Sequence, residues 1–185
     1  MNQPSGLAAL LRELAGSSKH DPHDGTVRLT IRLRAKDCCE YCLLPTTSQF
    51  HIDHVIPPSL WDDYVAGSLP AVQYRPGRRG PDHLDNFAWC CPFCNIAKRQ
   101  QVALKIGRRS FRIFDPRHDR WSDHFIFVHN YLFIVGFSGI GQATERALGF
   151  NSQRLNGPLG TRHDATLVGQ YPPIWARSWL ATSET

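Results

Sequence analysis

The chain has 185 residues, 42% of them apolar and 20% charged, and a formal net charge of +5. That length suits one domain, or one with appendages, and a globule of this size buries roughly 70% of its unfolded surface, so disulfides are not needed for a core. The composition excludes a disordered tail, and no apolar run approaches the ~18 residues of a membrane helix.

In chain order, residues 5–16 read as a short amphipathic helix. Ser5 caps it, Leu7, Leu10, Leu11 and Leu14 form its stripe, and Gly16 ends it. Arg12 and Glu13 interrupt this apolar stretch, so it is not expected to be a signal peptide, and a cytoplasmic location is expected. Residues 17–25 form a polar linker. Val27, Leu29, Ile31 and Leu33 alternate with polar residues, a strand-like period. Residues 48–56 are rich in β-branched and aromatic side chains and stop at Pro57-Pro58, as a strand does. Residues 57–83 read as a loop-like insertion. Residues 95–106 have helical composition closed by Gly107, residues 110–138 read as short strands, and residues 141–148 form a helix followed by Gly149. The last 30 or so residues show no clear periodicity.

The charge is unevenly spread. Residues 75–112 carry nine basic and two acidic side chains, more than the whole net charge. Residues 38–74 carry four acidic side chains and no basic one. Arginine outnumbers lysine 17 to 4, which suits bidentate phosphate contacts.

The six cysteines fall in two clusters: Cys38, Cys39 and Cys42, then Cys90, Cys91 and Cys94. Each cluster holds a C-x-x-C, and two such turns supply the four thiolates of a tetrahedral structural zinc site. A disulfide framework would need an oxidising compartment, and a cytosolic chain keeps its thiols reduced. Spacing alone also admits Cys38 and Cys90, through C-x-x-x-C pairs.

Between the clusters lie Phe50-His51-Ile52-Asp53-His54-Val55-Ile56-Pro57 and then Leu84-Asp85-Asn86-Phe87-Ala88-Trp89, with Asn95-Ile96-Ala97-Lys98 after the second cluster. These supply a hard oxygen ligand (Asp53), a general base (His54) and an amide oxygen (Asn95). Singly, an Asp-His pair is an ordinary surface pair, and an Asn after a Cys is an ordinary helix cap.

Together these residues resemble the HNH endonuclease family. Cys39/Cys42, Asp53-His54-Val55-Ile56-Pro57, Asn86-Phe87 and Cys91/Cys94-Asn95-Ile96-Ala97-Lys98 occur in the order of its signature. The core of the resemblance covers residues 36–98. Arg34-Ala35, Phe114-Asp115-Pro116-Arg117, Trp121, His124-Phe125, Ala143-Thr144, Leu148 and Asn151 extend it to roughly residues 26–155. Two departures stand out: the third signature residue is Asn95 in place of His, an H-N-N variant, and the 57–83 loop is long.

The resemblance implies an α+β fold with a ββα-metal core and zinc knuckles, flanked by short helices and strands. It divides the chain into an N-terminal helix and linker (1–25), the nuclease core (26–110) and a C-terminal extension packing on it (111–185). It selects Cys39, Cys42, Cys91 and Cys94 as zinc ligands and makes residues 27–37 helical, against the alternation. It implies hydrolysis of DNA phosphodiester bonds. Asp53 and Asn95 would hold Mg²⁺ or another divalent cation, His54 would activate water, and Asn86 would orient His54 through its amide or carbonyl. His51, on the Asp53 face of the strand, is a further site residue or a structural one. Arg75, Arg78, Arg79, Lys98, Arg99, Arg108 and Arg109, with Lys105 and Arg112, would clamp phosphates. The protein would act as a monomer or homodimer. The rival readings are a zinc-knuckle module that binds nucleic acid without chemistry, a nuclease for RNA or single strands, and a purely structural zinc protein.

Overall fold

The computed structural model describes residues 6–47, 49–69, 74–153 and 157–179. It is a mixed α+β chain with six helices and three two-stranded antiparallel sheets among these residues. None of the described helices is long and apolar enough to cross a membrane. Ser5, the expected cap of the first helix, lies outside the described residues; the helix itself, α1, runs Gly6–Leu14 and packs on α2.

Helix α2 (Gly25–Arg34) occupies the segment whose apolar residues alternate. Asp24 decides its start: its carboxylate accepts from the Thr26 and Val27 amides at 2.8 and 3.0 Å, an N-cap. The buried set is Val27, Thr30 and Ile31, a helical spacing, while Leu29 and Leu33 of the apparent strand are exposed. Two arginines fasten α2 to its neighbours. Arg28 donates to the Phe50 carbonyl (2.8 Å), and Arg34 donates to the carbonyls of Leu84 (2.8 Å) and Phe87 (2.6 Å).

Strand β1 (His51–His54) pairs with β2 (Phe87–Cys90), setting Asp53 opposite Ala88 and His54 opposite Phe87. The long connection between them is not all loop. It holds a 3-10 turn at Pro58–Leu60 and a short helix, α3 (Trp61–Val65). After β2 comes α4 (Pro92–Lys98). Residues 95–106 are thus not one helix. Cys91 caps α4 with its sulfur and Pro92 takes the first helical position, so the helix begins early. Arg99, at φ 49°, ends it. Residues Ala103–Ile106 form β3 and pair with β4 (Arg109–Arg112), and Gly107, at φ 59°, serves the hairpin turn instead of closing a helix. This hairpin crosses the boundary expected at residue 110.

Strands β5 (Phe125–Val128) and β6 (Phe133–Gly136) form the third hairpin, and α5 (Gly139–Leu148) packs against β6, β3 and α4. The close approach requires glycine: a Cβ on Gly141 would stand 2.1 Å from the His124 carbonyl oxygen. The final stretch holds a helix that periodicity does not reveal, α6 (Pro158–Leu167), and a 3-10 turn at Ile174–Trp179. Weak amphipathicity hides α6. Its buried side chains are Pro158 and Arg162, and Arg162 donates to the Leu132 carbonyl (3.1 Å) and the Asn151 amide oxygen (3.0 Å). One hydrophobic core runs from Val27 to Ala176. Its second half is aromatic: Trp121 stacks on Phe127 and Trp179, with centroids 4.9 and 5.2 Å away.

Candidate functional site

The sulfurs of Cys39, Cys42, Cys91 and Cys94 all lie within 4.8 Å of one another, and all four residues are buried. Tetrahedral zinc with bonds near 2.3 Å sets its sulfurs about 3.8 Å apart; Cys42 and Cys91 stand at 3.6 Å. The donor set is therefore compatible with a zinc site, built from Cys39 and Cys91 and not from their neighbours. Cys38 sits in a bridge to Pro45, and the Cys90 thiol points at the Cys91 carbonyl (3.5 Å).

Each thiol pair is set by local backbone. In the first turn the Leu43 amide returns to the Cys39 carbonyl (2.9 Å), with Leu43 in the left-handed region at φ 61°. In the second, the Cys91 cap and Pro92 open α4 so that Cys94 falls one helical turn on. Glu40 joins the two halves. Its amide donates to the Trp89 carbonyl (2.9 Å), and its carboxylate accepts from the Trp89 amide (2.8 Å). Burial pushes the Cys91 and Cys94 thiols well above their ordinary range, with the facing thiols adding to this. Burial also raises Cys39, but hydrogen bonds from the surrounding thiols outweigh it and leave that group well below its ordinary value. Four crowded sulfurs that cannot all ionise unaided are what a bound dication relieves. Cys38, outside the cluster, is pushed up to about 12 by burial first and by neighbouring charge second.

Beside the cluster lies an open cleft of about 400 Å³ lined by Ile52, Asp53, His54, Pro57, Pro58, Ser59, Asn95, Arg99 and Gln100. Asp53, His54 and Asn95 thus meet in one place. The strand end brings the first two, and α4, registered by the cysteines, brings the third.

The cleft's acid is already paired. The Asp53 carboxylate is buried and accepts from the Tyr41 hydroxyl (2.7 Å). Lys98 reaches the same carboxylate at 3.0 and 3.2 Å and donates to the His54 carbonyl at 2.8 Å. Lys98, 1% exposed, is therefore no phosphate contact in this arrangement: its ammonium is the buried counter-ion of Asp53. Burial, and then the Asp53 charge, push the Tyr41 hydroxyl well above its ordinary range, so it stays a donor. Asp53 and Asn95 are oxygen donors of the kind a divalent cation takes. A positive group already stands on the carboxylate, as a stand-in for such a cation, and an ion would have to displace it.

Among the described residues Asn86 makes no hydrogen bond to the His54 ring. Its amide group accepts from the Ile56 amide (2.9 Å) and donates to the carbonyls of Ile56 and Pro81, both at 2.8 Å. Its own carbonyl accepts from the Val55 amide (2.8 Å). A buried Asn with every group spent on backbone holds the chain after β1 to the loop before β2. The ring of His54 instead meets Asp82, Nε2 to Oδ1 at 3.0 Å. His51 is exposed and not among the described residues lining the cleft.

The arginines divide. Arg78 is buried, donating to the Asp85 carbonyl and paired with Asp115, so it braces the loop and cannot grip a phosphate. Arg112 is held by Asp119 at 2.5 and 2.7 Å. Arg75, Arg99, Lys105, Arg108 and Arg109 are exposed, as is Arg79, which shares Asp85 at 3.3 Å. Sequence reasoning missed Tyr41, Asp82 and the inward turn of Lys98. Tyr41 is merely one of the two spacers of a C-x-x-C, and nothing in the sequence separates Asp82 from Asp85 three residues on. Comparison of the chain with protein-family models, curated proteins and solved structures finds no match.

Proposed function

We propose that the protein is a metal-dependent phosphodiesterase, and within that class an endonuclease of the HNH type acting on DNA. In this reading β1, β2 and α4 are a ββα-metal core, and the four cysteines hold a structural zinc that sets strand against helix. The observation that carries it is the convergence of Asp53, His54 and Asn95 on one open cleft beside the cysteine cluster.

The chemistry follows from the residues. His54 accepts a proton from the attacking water, a role for which an imidazole nitrogen is the usual side-chain base. Asp53 and Asn95 would hold the divalent cation, which supplies positive charge for the phosphate oxygens and the leaving 3′ oxygen. Arg99 lines the cleft and is exposed, so it would meet a backbone phosphate there, and the exposed Lys105, Arg108 and Arg109 of the β3–β4 hairpin would add phosphate contacts. Such contacts position a duplex without reading its sequence.

The capped Asp53 favours a second reading, a zinc-bound module that grips nucleic acid without cutting it. Supercoiled plasmid incubated with zinc-loaded protein and Mg²⁺ separates the two. Nicked or linear product that disappears with EDTA and in His54→Ala is the expected result. Wild-type protein that binds the plasmid and leaves it intact refutes the nuclease reading. Parallel incubations with structured RNA and single-stranded DNA define the substrate class.

A further inference from the structure

We propose that Asp82, delivered by the long loop ahead of β2, is the positioning residue of His54: it holds the ring proton on Nε2 and leaves Nδ1 as the nitrogen that accepts a proton from water. The role in cleavage rests on the nuclease reading; the hold on the ring does not.

The geometry is direct. Asp82 Oδ1 lies 3.0 Å from His54 Nε2, and both side chains are about three-quarters covered, at 27% and 22% exposure. An ionised carboxylate only accepts hydrogen bonds, so the nitrogen facing it must carry the proton. A neutral imidazole has one other ring nitrogen, and the lone pair falls there. Among the described residues Nδ1 makes no hydrogen bond. The ring plane is fixed independently by Phe87, edge-on at a centroid distance of 5.1 Å and an interplanar angle of 81°. With the plane set by Phe87 and the proton by Asp82, the direction of the accepting lone pair is determined before substrate arrives.

Asp82 is itself anchored. Its carbonyl accepts from the His20 amide at 2.7 Å, and Lys19 reaches its other carboxylate oxygen at 3.5 Å. The preceding carbonyl, that of Pro81, is bound by Asn86 at 2.8 Å. Asn86 therefore acts on His54 at one remove, by holding the loop that carries Asp82. The segment before α2 thus meets the insertion at this one residue, through its carbonyl and its carboxylate. A partner on the far nitrogen is the usual means of choosing which imidazole nitrogen does the chemistry.

The test uses full-length, zinc-loaded protein carrying ¹⁵N-histidine, in wild-type and Asp82→Ala forms. Long-range ¹H–¹⁵N spectra, recorded where a further rise in pH no longer moves the His54 signals, report which nitrogen bears the proton. Plasmid cleavage is measured alongside. Wild-type His54 is expected to show a protonated Nε2 and a bare Nδ1. Asp82→Ala is expected to average the two tautomers and to lower kcat roughly 10- to 100-fold with KM little changed, the usual cost of losing an outer partner. The Asp82 main-chain hydrogen bonds survive the substitution, and zinc content and circular dichroism check the fold. A wild-type His54 protonated on Nδ1 overturns the proposal without any variant. So does an Asp82→Ala that changes the rate without the tautomer, or the tautomer without the rate. If wild-type protein cuts nothing while the tautomer shift occurs, the nuclease reading falls and the hold of Asp82 on the ring stands.

Discussion

Replacing Lys98 with Met isolates the buried cation of the cleft. The substitution keeps most of the side-chain volume, so little cavity is added. It removes the ammonium from Asp53, which it meets at 3.0 and 3.2 Å, and from the His54 carbonyl, at 2.8 Å. Both partners of the pair are almost fully buried, at 1% and 6% exposure. Removing one member of a buried pair costs about 3–5 kcal/mol, because the remaining charge is left without a partner. The Tyr41 hydroxyl still serves Asp53, which places the loss near the low end, about 3 kcal/mol. For a chain of this size that lowers the melting temperature by roughly 6–12 °C. Calorimetry of zinc-loaded protein measures it. The second arm adds Mg²⁺ or Mn²⁺. With the ammonium gone, an ion on Asp53 and Asn95 should bind more tightly than in wild type and restore about 2.7 kcal/mol at a hundredfold excess over its Kd. A variant that melts within about 2 °C of wild type refutes the buried pair, given that scale. Equal cation stabilisation in both proteins refutes competition between Lys98 and the ion.

Three further outcomes follow from the same geometry. Purified protein should carry one zinc, and Cys94→Ser or strong chelation should abolish cooperative unfolding, since a structural zinc is worth about 10–16 kcal/mol and a domain's whole stability about 5–15; a chelated protein with an unchanged melting curve contradicts this. Arg78→Met should cost about 3 kcal/mol in urea titration, the low end for a broken buried pair because His118 and the Arg117 amide still serve Asp115 at 2.9 and 3.0 Å, whereas Arg108→Ala and Arg109→Ala should move stability by less than about 0.5 kcal/mol and lower the salt slope of DNA binding by about one unit for each phosphate the arginine neutralises. The acid limb should depend on Asp119. Burial raises its carboxyl, but the paired hydrogen bonds from Arg112 outweigh burial and hold it below the ordinary 3.8. Its contribution is complete above about that pH and is lost as pH falls through the lowered value, so Asp119→Asn should flatten the acid dependence of the urea midpoint. An unchanged acid limb would show that the pair carries no such linkage.

What was legible in the sequence was what depends on short, rigid spacing. The C-x-x-C pairs fixed where thiols could meet, and Asp53-His54 at a strand end ahead of a proline fixed where an acid and a base would emerge. Pattern failed where a few hydrogen bonds overrule hydrophobic periodicity. The alternation of Val27, Leu29, Ile31 and Leu33 yields to the Asp24 cap and to Thr30, a polar residue that is nonetheless fully buried because its hydroxyl returns to the Thr26 carbonyl (2.7 Å). Residues 95–106 divide because Arg99 leaves the helical region. Charge was the least readable property. A block of nine basic residues gives no hint that Arg78 and Lys98 turn inward, since each is committed by a carboxylate distant in sequence, Asp115 and Asp53. Asp82 was invisible for the same reason: its partner lies 28 residues away.

The Tyr171 hydroxyl donates to the Cys42 carbonyl at 3.1 Å, and the ring is buried close enough to the thiols for their charge to bear on it. Trp121 closes the same turn from another side, its indole N–H reaching the Tyr41 carbonyl at 2.9 Å. These covers belong to a much later part of the polypeptide than the last thiol, Cys94. A growing chain that has reached Cys94 owns all four sulfurs but neither of the aromatic residues that bind the first cysteine turn. At 5–20 residues per second the interval before Tyr171 is made lasts roughly 4–15 s. A metal bound in that interval would meet the four thiols before Trp121 and Tyr171 are there to brace the first cysteine turn.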